Sequence, residues 1–323
     1  MSIRTLIIGL GQIGMGYDIF LDPTKFVFTH ARAASLHDQF EIIAGVDPDN
    51  GRCDLFELHY KVPAYGSISC IKDLASIDMV VIASPSLLHM QTFDEVIKKL
   101  KPKIILCEKP LSFDIDESRF MVETCKNLDI KLFVNYMRRS DPGAIKIKEM
   151  ISNGIIKQPF KGLAWYSKGF FNNASHLFNL LEDWFGNFQD FTLINEGRFW
   201  DNTDPEPDVM VKFQNAEVTF LSAWEEYFSH YTIELLSSSG RLRYEQGGEI
   251  INFESIYADP NIAGYKILNP KAILINNNFS HYQTNVYNQI ANAFNNKNYH
   301  LCNGDQALRT LEFMHKITNP RKL

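Results

Sequence analysis

The stretch Thr5–Gly14 reads TLIIGLGQIG, an apolar run that leads directly into three closely spaced glycines. Gly9, Gly11 and Gly14 fit the pattern G-x-G-x-x-G, in which the first glycine allows a tight turn, the second lets a phosphate approach the backbone and the third lets a helix pack on the strand. Backbone N–H groups and the dipole of the helix that follows would hold a pyrophosphate. The stretch therefore predicts a dinucleotide-binding loop, with Gln12 and Ile13 as further contacts; the alternative is an ordinary glycine turn.

Further short apolar runs follow through the first 137 residues. They are unbroken rather than alternating, which is typical of strands buried on both faces of a parallel sheet. Helical patterns such as Met90–Leu100 and Asp116–Leu128 lie between them. The predicted strands are Thr5–Leu10, Glu41–Val46, Met79–Ala83, Lys103–Cys107 and Lys131–Val134. This alternation predicts an α/β fold, with a doubly wound Rossmann domain over residues 1–137.

After Tyr136 the pattern changes, which predicts a second domain over residues 138–323. Two helical segments come first, and strands that follow one another without helices come next. The predicted helices are Gly143–Ser152, Ser175–Trp184, Thr284–Phe294 and Asp305–Ile317, and the predicted strands are Asp208–Phe213, Glu217–Trp224, Tyr231–Ser237 and Arg241–Tyr244. The second domain is therefore expected to be α+β, with a large, mostly antiparallel sheet that leaves one face open.

Composition narrows the class of protein. The 323 residues carry a formal net charge of −6, which argues against a nucleic-acid partner, since phosphate binding needs a basic face. The longest apolar run, Met79–Ala83, is too short to cross a bilayer. The odd set of five cysteines predicts free thiols, and the nine histidines show no ligand spacing, so no metal site is predicted. With no signal pattern at the N-terminus, we expect a cytoplasmic protein.

Asp47 ends the second predicted strand, where a carboxylate accepts hydrogen bonds from ribose hydroxyls and repels a 2′-phosphate. This favours NAD as the cofactor and leaves NADP open, since Arg52 is nearby. Asp47 follows Gly14 by 33 residues, against roughly 20 in the usual fingerprint. The excess predicts an inserted segment, Met15–Thr29, that acts either as a lid or as an oligomer contact.

Polar residues also follow the third and fourth of these predicted strands. Ser84, Pro85 and His89 come after Met79–Ala83, and Glu108 and Lys109 come after Lys103–Cys107. Ligands of open parallel sheets bind at the carboxyl ends of strands, so these residues are predicted to face the cofactor. The ammonium of Lys109 would stabilise an alkoxide beside a nicotinamide. The peptide bond between Lys109 and Pro110 is a plausible cis bond. The alternative is that Lys109 is an exposed surface charge.

The ordered blocks GLGQIG, VDPD, SPSLLH, CEKPLS, NYMRRSDPG and NNASHLFNLLEDWFG resemble the glucose–fructose oxidoreductase/inositol dehydrogenase/MocA (Gfo/Idh/MocA) family. The resemblance implies a Rossmann domain followed by an α/β domain whose open sheet builds a homodimer or homotetramer. It also implies nicotinamide-dependent oxidation of sugar or cyclitol hydroxyls, or reduction of keto-sugars.

The family's second-domain motif reads D-x-G-x-H, and the resemblance makes its Asp and His catalytic together with the Lys of E-K-P. Here Lys109 and His176 match, while Asn172 replaces the aspartate and Ala174 the glycine. Four residues apart on a helix, Asn172 and His176 would share one face, and an amide would orient the imidazole without adding charge. The alternatives are that Asn172 or Asn173 caps the helix and that His176 is structural.

Substrate contacts are predicted from placement. The resemblance puts Asn135, Arg138 and Arg139 at the domain cleft, and Arg198 and Trp200 lie in a stretch of the kind that binds sugars. Because arginine binds carboxylate or phosphate, an anionic or nucleotide-linked sugar is one candidate substrate. The alternative is that these are surface residues.

The sequence thus supports a hypothesis of hydride transfer between a nicotinamide and a carbohydrate. Three rivals stay open: reduction of an imine or enone on the same fold, a non-catalytic sensor of cofactor or sugar, and a scaffold that assembles through the open sheet.

Overall fold

The protein, described by a computed structural model over residues 2–71 and 77–319, divides into two compact units. The first contains the chain up to Ser140 together with Ser280–Arg309, and the second contains Asp141–Phe279 and the chain from Thr310 on. The expected division into 1–137 and 138–323 therefore needs a correction. Residues 280–309 return to the first unit because their apolar side chains complete its core.

Strands and helices are numbered along the chain. Those of the first unit are β1 (Ile3–Ile8), α1 (His30–Leu36), β2 (Phe40–Val46), α2 (Asn50–Tyr60), β3 (Ala64–Tyr65), β4 (Met79–Ile82), α3 (His89–Lys99), β5 (Ile104–Cys107), α4 (Ile115–Asn127), β6 (Lys131–Val134), α7 (Tyr282–Phe294) and β16 (Cys302–Asn303). Helix α8 (Gly304–Thr318) begins here and ends in residues of the second unit.

The sheet of the first unit has the order β16-β6-β5-β4-β1-β2-β3, parallel except for β16. Alternate residues of β1 enter two different cores. Ile7 packs with Phe56 and Tyr287 on one side, while Leu6 packs with Phe93 and Val122 on the other. Burial on both faces explains the unbroken apolar runs and confirms the Rossmann prediction.

The segment Met15–Thr29 lies between the glycine loop and α1, as expected for an insertion, so no α-helix follows the loop directly. The loop is followed by a single π-helical turn, Gln12–Gly16, and α1 begins only at His30. The buried carboxylate of Asp18 accepts the backbone N–H groups of Phe28 and Thr29 at 2.6 and 2.9 Å. It therefore ties the two ends of the segment together.

The second unit consists of α5 (Pro142–Ser152), β7 (Phe160–Tyr166), α6 (Ser175–Phe185), β8 (Phe188–Trp200), β9 (Asp204–Phe213), β10 (Ala216–Ser222), β11 (Thr232–Ser237), β12 (Gly240–Glu245), β13 (Ile250–Ala258), β14 (Lys266–Leu268) and β15 (Ile273–Leu274). Its sheet runs β14-β13-β12-β11-β7-β10-β9-β8, with β15 beside β13. Among the described strands of this second sheet, only β7 and β10 pair in parallel. The mostly antiparallel prediction is confirmed, and β9 begins at Asp204 rather than Asp208.

One face of this second sheet carries the core of the unit. Phe160, Ala164 and Tyr166 of β7 are buried with Phe178 and Leu181 of α6. Most of the intervening residues of the sheet, which point the other way, are half-buried or exposed, among them Leu163, Trp165, Met210, Thr219 and Leu221. The sheet thus has one face that this chain leaves largely open, as the strand pattern predicts.

No helix in residues 2–71 or 77–319 is long and apolar enough to span a bilayer.

Candidate active site

The glycine loop lies at the carboxyl ends of β1 and β4. Gly9 has a φ of +95°, and a Cβ there would lie 2.4 Å from the carbonyl carbon of Ala83. A Cβ at Gly14 would lie 2.0 Å from the Gly9 oxygen, so both positions exclude a side chain. At Gly11 the nearest atom to a Cβ would be Arg52 Nη1 at 3.7 Å, which leaves the space in front of this residue open. The loop is therefore closed towards the protein and open where a pyrophosphate would approach.

Asp47 ends β2 beside this loop and is buried. Its carboxylate accepts the backbone N–H of Leu10 at 2.8 Å and that of Asp49 at 3.0 Å. Arg52, on α2, brings Nη1 to 3.4 Å from Asp47 Oδ2. A carboxylate and a guanidinium thus stand together at the position predicted for the adenosine ribose.

The turn after β4 is held from behind by His89. Ser84 is half-buried and Pro85 exposed, whereas His89 has no exposed surface. The His89 ring nitrogens lie 2.9 Å from the Ser84 oxygen and 2.9 Å from the Pro110 oxygen. The His89 side chain therefore holds these two turns together, and its contact with a cofactor stays a prediction.

Glu108 and Lys109 follow β5, and the peptide between Lys109 and Pro110 is cis, as the sequence suggested. Lys109 is half-buried, so it is not a fully exposed surface charge. Glu108 Oε1 lies 2.9 Å from His30 Nε2 and 2.6 Å from Asn135 Nδ2. Burial by itself raises the pKa of the Glu108 carboxyl, but the hydrogen bonds from His30 and Asn135 and the charge of Lys109 outweigh it and leave this pKa below its ordinary value. Glu108 is therefore a carboxylate at neutral pH.

Asn135 donates from its amide nitrogen to Glu108, and its contact with substrate stays a prediction. Arg138 and Arg139 are buried in the 3₁₀ turn Met137–Ser140. Burial and the nearby charge of Glu108 raise the pKa of Tyr282, on α7, while the charge of Arg138 opposes this shift. The phenol of Tyr282 therefore lies close enough to the Glu108 carboxylate and the Arg138 guanidinium, within the first unit, to interact with both charges.

In the second unit, His176 lies in the first turn of α6 and is buried. The π-helical turn Phe170–Ala174 leads into it, so Asn172 is not one α-helical turn from His176 as expected. Asn172 Nδ2 donates to the Lys168 oxygen at 3.1 Å, while Asp204 accepts the backbone N–H groups of Phe171 and Asn172 at 2.9 and 2.8 Å. The cap that the sequence suggested for Asn172 or Asn173 is therefore supplied by Asp204.

Arg198 has a different environment from the one predicted. Its Nε donates to Glu206 at 2.9 Å and its Nη1 to Glu226 at 3.1 Å. The hydrogen bond to Glu206 raises the pKa of Arg198. Glu206 also accepts the backbone N–H of Gly169 at 3.0 Å, at the start of the π-helical turn. Arg198 is therefore paired with two carboxylates, and its contact with substrate stays a prediction. Half-buried Trp200 pairs with Asp204 across the β8–β9 hairpin.

Four residues near these positions were missed by sequence reasoning: His30, Asp204, Tyr282 and Gln283. Each reaches its contacts from a distant segment, Gln283 meeting His30 across 253 positions. The two π-helical turns had no signal in the sequence either. One lies in the glycine loop and the other directly before His176, and such turns are frequent at functional sites.

Comparison with known proteins bears on identity. Residues 3–136 match the model of an oxidoreductase family with an NAD-binding Rossmann fold, Gfo/Idh/MocA. An inositol 2-dehydrogenase of Rubrobacter xylanophilus is 38% identical over 91 residues, which cover 28% of this chain and 26% of that protein. The chain thus spans less than half the length of the curated relatives it matches.

Solved structures resemble the chain over nearly its whole length. An oxidoreductase from Agrobacterium radiobacter in complex with NAD⁺, L-tartaric acid and magnesium has a TM-score of 0.74 at 17% identity, covering 100% of this chain and 98% of that one. The WlbA dehydrogenase from Bordetella pertussis, in complex with NADH and UDP-GlcNAcA, has a TM-score of 0.76 at 16% identity, covering 99% and 96%. At these identities the likeness shows the fold alone.

The glycine loop, the Glu108-Lys109-Pro110 block and the family match lead to one conclusion: residues 3–136 form an NAD-binding Rossmann domain that matches the Gfo/Idh/MocA family of oxidoreductases.

Proposed function

We propose that the protein transfers a hydride between NAD(H) and a sugar or cyclitol at an alcohol/ketone pair. The observation that carries the proposal is the place of Lys109 at the carboxyl end of β5, on the sheet edge that also bears the glycine loop and Asp47. Ligands of open α/β sheets bind outside this edge. Relatives named inositol 2-dehydrogenase and D-xylose 1-dehydrogenase support a carbohydrate substrate.

Each proposed role follows from the residue's own unit. The nicotinamide, when bound, supplies the acceptor or donor of hydride. The Lys109 ammonium stabilises negative charge that develops on the substrate oxygen. His176 takes the hydroxyl proton in the oxidation direction and returns it in the reduction direction. The glycine loop binds the pyrophosphate, and Asp47 accepts hydrogen bonds from the adenosine ribose.

The surroundings of the turn that precedes His176 favour a neutral polyol over an anionic sugar. Glu206 and Glu226 already engage Arg198, and Asp204 adds a third carboxylate. A substrate carboxylate or phosphate would meet like charge there. We therefore expect a neutral sugar or cyclitol to react with higher kcat/KM than the matching uronic acid.

The deciding experiment replaces Lys109. Lys109→Ala should reduce turnover by roughly 10²-fold or more, because it removes a charge that stabilises the transition state, and it should leave NADH affinity nearly unchanged. Lys103→Ala is the matched control, since Lys103 stands at the opposite end of β5 and pairs with Asp78 at 2.8 Å. Equal losses of turnover and NADH binding in Lys109→Ala would overturn the catalytic role.

A non-catalytic sensor is the second candidate, and Asn172 in place of an acid favours it. A sensor would bind NAD(H) and a carbohydrate without hydride transfer. A panel of sugar alcohols and keto-sugars, followed by absorbance of NADH, separates the two functions.

We also propose that the open face of the second sheet pairs with another copy of this chain. Support comes from Leu163, Trp165, Met210 and Leu221, apolar residues on the face opposite the core. Sedimentation should show a dimer or tetramer, and Trp165→Glu should shift it towards the monomer.

A further inference from the structure

A closed ring of hydrogen bonds surrounds the Glu108 carboxylate. The two bonds from His30 and Asn135 form half of it. Gln283, on α7, completes it, because its Nε2 lies 2.8 Å from His30 Nδ1 and its Oε1 lies 3.3 Å from Asn135 Nδ2. His30, Asn135 and Gln283 are all buried. Side chains from four separate segments of the first unit therefore meet around one carboxylate.

The direction of every hydrogen bond in this ring follows from one negative charge. A carboxylate oxygen only accepts, so Asn135 turns its amide nitrogen towards Glu108. That nitrogen also faces the Gln283 oxygen, which leaves the Gln283 nitrogen to donate to His30 Nδ1. In this arrangement His30 Nδ1 accepts from Gln283, and the N–H on His30 Nε2 points at Glu108. The ring is self-consistent around an ionised Glu108.

We propose that His30 and Gln283 are positioning residues for Lys109 and act on it through Glu108. The second oxygen of Glu108, Oε2, lies 3.3 Å from the backbone nitrogen of Lys109. The carboxylate that the ring fixes therefore also holds the peptide group that carries the lysine. A group that stabilises charge in a transition state depends on its placement, and a shift of about 1 Å costs roughly 10²-fold in rate.

This inference rests on the proposed function, in which Lys109 stabilises an oxyanion. A ring that served only the fold would have other consequences. Its loss would lower the melting temperature, and any fall in turnover would be the same whether or not Lys109 were present.

A double-mutant cycle distinguishes these cases. Gln283→Leu opens the ring without touching Glu108, and we expect kcat to fall about tenfold with KM for the cofactor nearly unchanged. In the Lys109→Ala background the same substitution should have no further effect on the residual rate. Gln289→Leu is the matched control: Gln289 lies on the same helix, but it accepts the backbone N–H of His300 at 2.8 Å and is not part of the ring.

A second measurement does not depend on activity. Hydrogen–deuterium exchange at the Lys109 amide should be faster in Gln283→Leu and in His30→Leu than in the wild type, and unchanged in Gln289→Leu. If the wild type showed no hydride transfer, the proposed function would fail, while the exchange result would still test the positioning role. Unchanged exchange in both ring variants, or equal kcat losses from Gln283→Leu with and without Lys109, would overturn the inference.

Discussion

Asp204 Oδ2 accepts the backbone N–H of Asn172 at 2.8 Å, so a carboxylate on β9 caps the turn that leads into His176. The same carboxylate accepts the N–H of Phe171 at 2.9 Å. An acid therefore supports this turn even though position 172 holds an amide.

Removing the Asp204 carboxylate should disturb the turn that precedes His176 more than it destabilises the fold. For Asp204→Ala we expect a loss of about 1 kcal/mol in the free energy of unfolding, as for other helix caps, and a fall in kcat of about tenfold. Thermal unfolding and turnover measure the two effects. Asp208→Ala is the control, because Asp208 lies on the same strand and accepts the N–H of Ser222 instead. Equal kcat values for the two variants would contradict a role of Asp204 in placing His176.

The glycines of the loop should separate binding from folding. Gly11→Ala adds a Cβ with ordinary contacts at a backbone φ of −73°, so the protein should fold normally and lose NAD affinity, since the methyl group meets the pyrophosphate. Gly14→Ala forces a Cβ against the Gly9 oxygen and should lower the melting temperature itself. Calorimetric titration with NAD and thermal unfolding test both. Wild-type NAD binding by Gly11→Ala would place the phosphates elsewhere.

Asp47 and Arg52 should set the choice between the two cofactors. Asp47→Asn keeps an acceptor for the Leu10 N–H but removes the charge that repels a 2′-phosphate, and it leaves the Arg52 guanidinium beside it. We expect the preference for NAD over NADP to fall by about tenfold. Adding Arg52→Ala should abolish the gain in NADP affinity. The measurement is the ratio of kcat/KM for NAD to that for NADP. If neither Asp47→Asn nor the added Arg52→Ala changed this ratio, Asp47 would not bind the ribose.

An acid at position 172 should change the pH dependence of catalysis. A carboxylate favours the protonated imidazole, so Asn172→Asp should move the limb of the pH–rate profile that reports His176 to higher pH by about one unit. Asn173→Asp is the control, since Asn173 donates to the Ser167 oxygen in the neighbouring turn. The same profile in wild type and Asn172→Asp would favour a structural His176.

Glu108 should make the protein sensitive to acid. Because its pKa in the folded protein lies below the ordinary value, its carboxylate contributes stability above a pH of about 4.3 and loses that contribution as the pH falls through the lowered value. The difference in unfolding free energy between wild type and Glu108→Gln should therefore be constant near neutrality and shrink below that pH. Denaturant titrations at several pH values give this difference. A difference that stays constant from neutral to acid pH would contradict a stabilising charge at Glu108.

The Rossmann prediction succeeded because burial on both faces of a parallel sheet leaves a local signal, the unbroken apolar run. Strand β8 has no such apolar run in the sequence, since it lies at the edge of its sheet and its residues from Phe188 to Trp200 are all at least partly exposed. Short apolar runs and the glycine spacing are properties of neighbours in sequence, and those were predicted well.

The candidate site was predicted where its residues follow strands and missed where they arrive from a distance. Lys109 and Asp47 stand at strand ends that the sequence shows. Gln283 meets His30 only because α7 returns to the first unit, and Asp204 meets Asn172 only because β9 lies beside that turn. The ion pair of Arg198 was missed for a related reason: its partner Glu206 is eight residues away across a hairpin, and no local pattern shows the pairing.

The return of residues 280–309 has a consequence for biosynthesis. Val286, Tyr287 and Ile290 complete one core of the first unit, and Cys302 and Asn303 pair with its outer strand. During translation the nucleotide-binding half therefore stays incomplete on the ribosome until the intervening half has been made. A fragment that stops near residue 140, although it holds all the residues that match the family model, lacks the helix that closes its own interior.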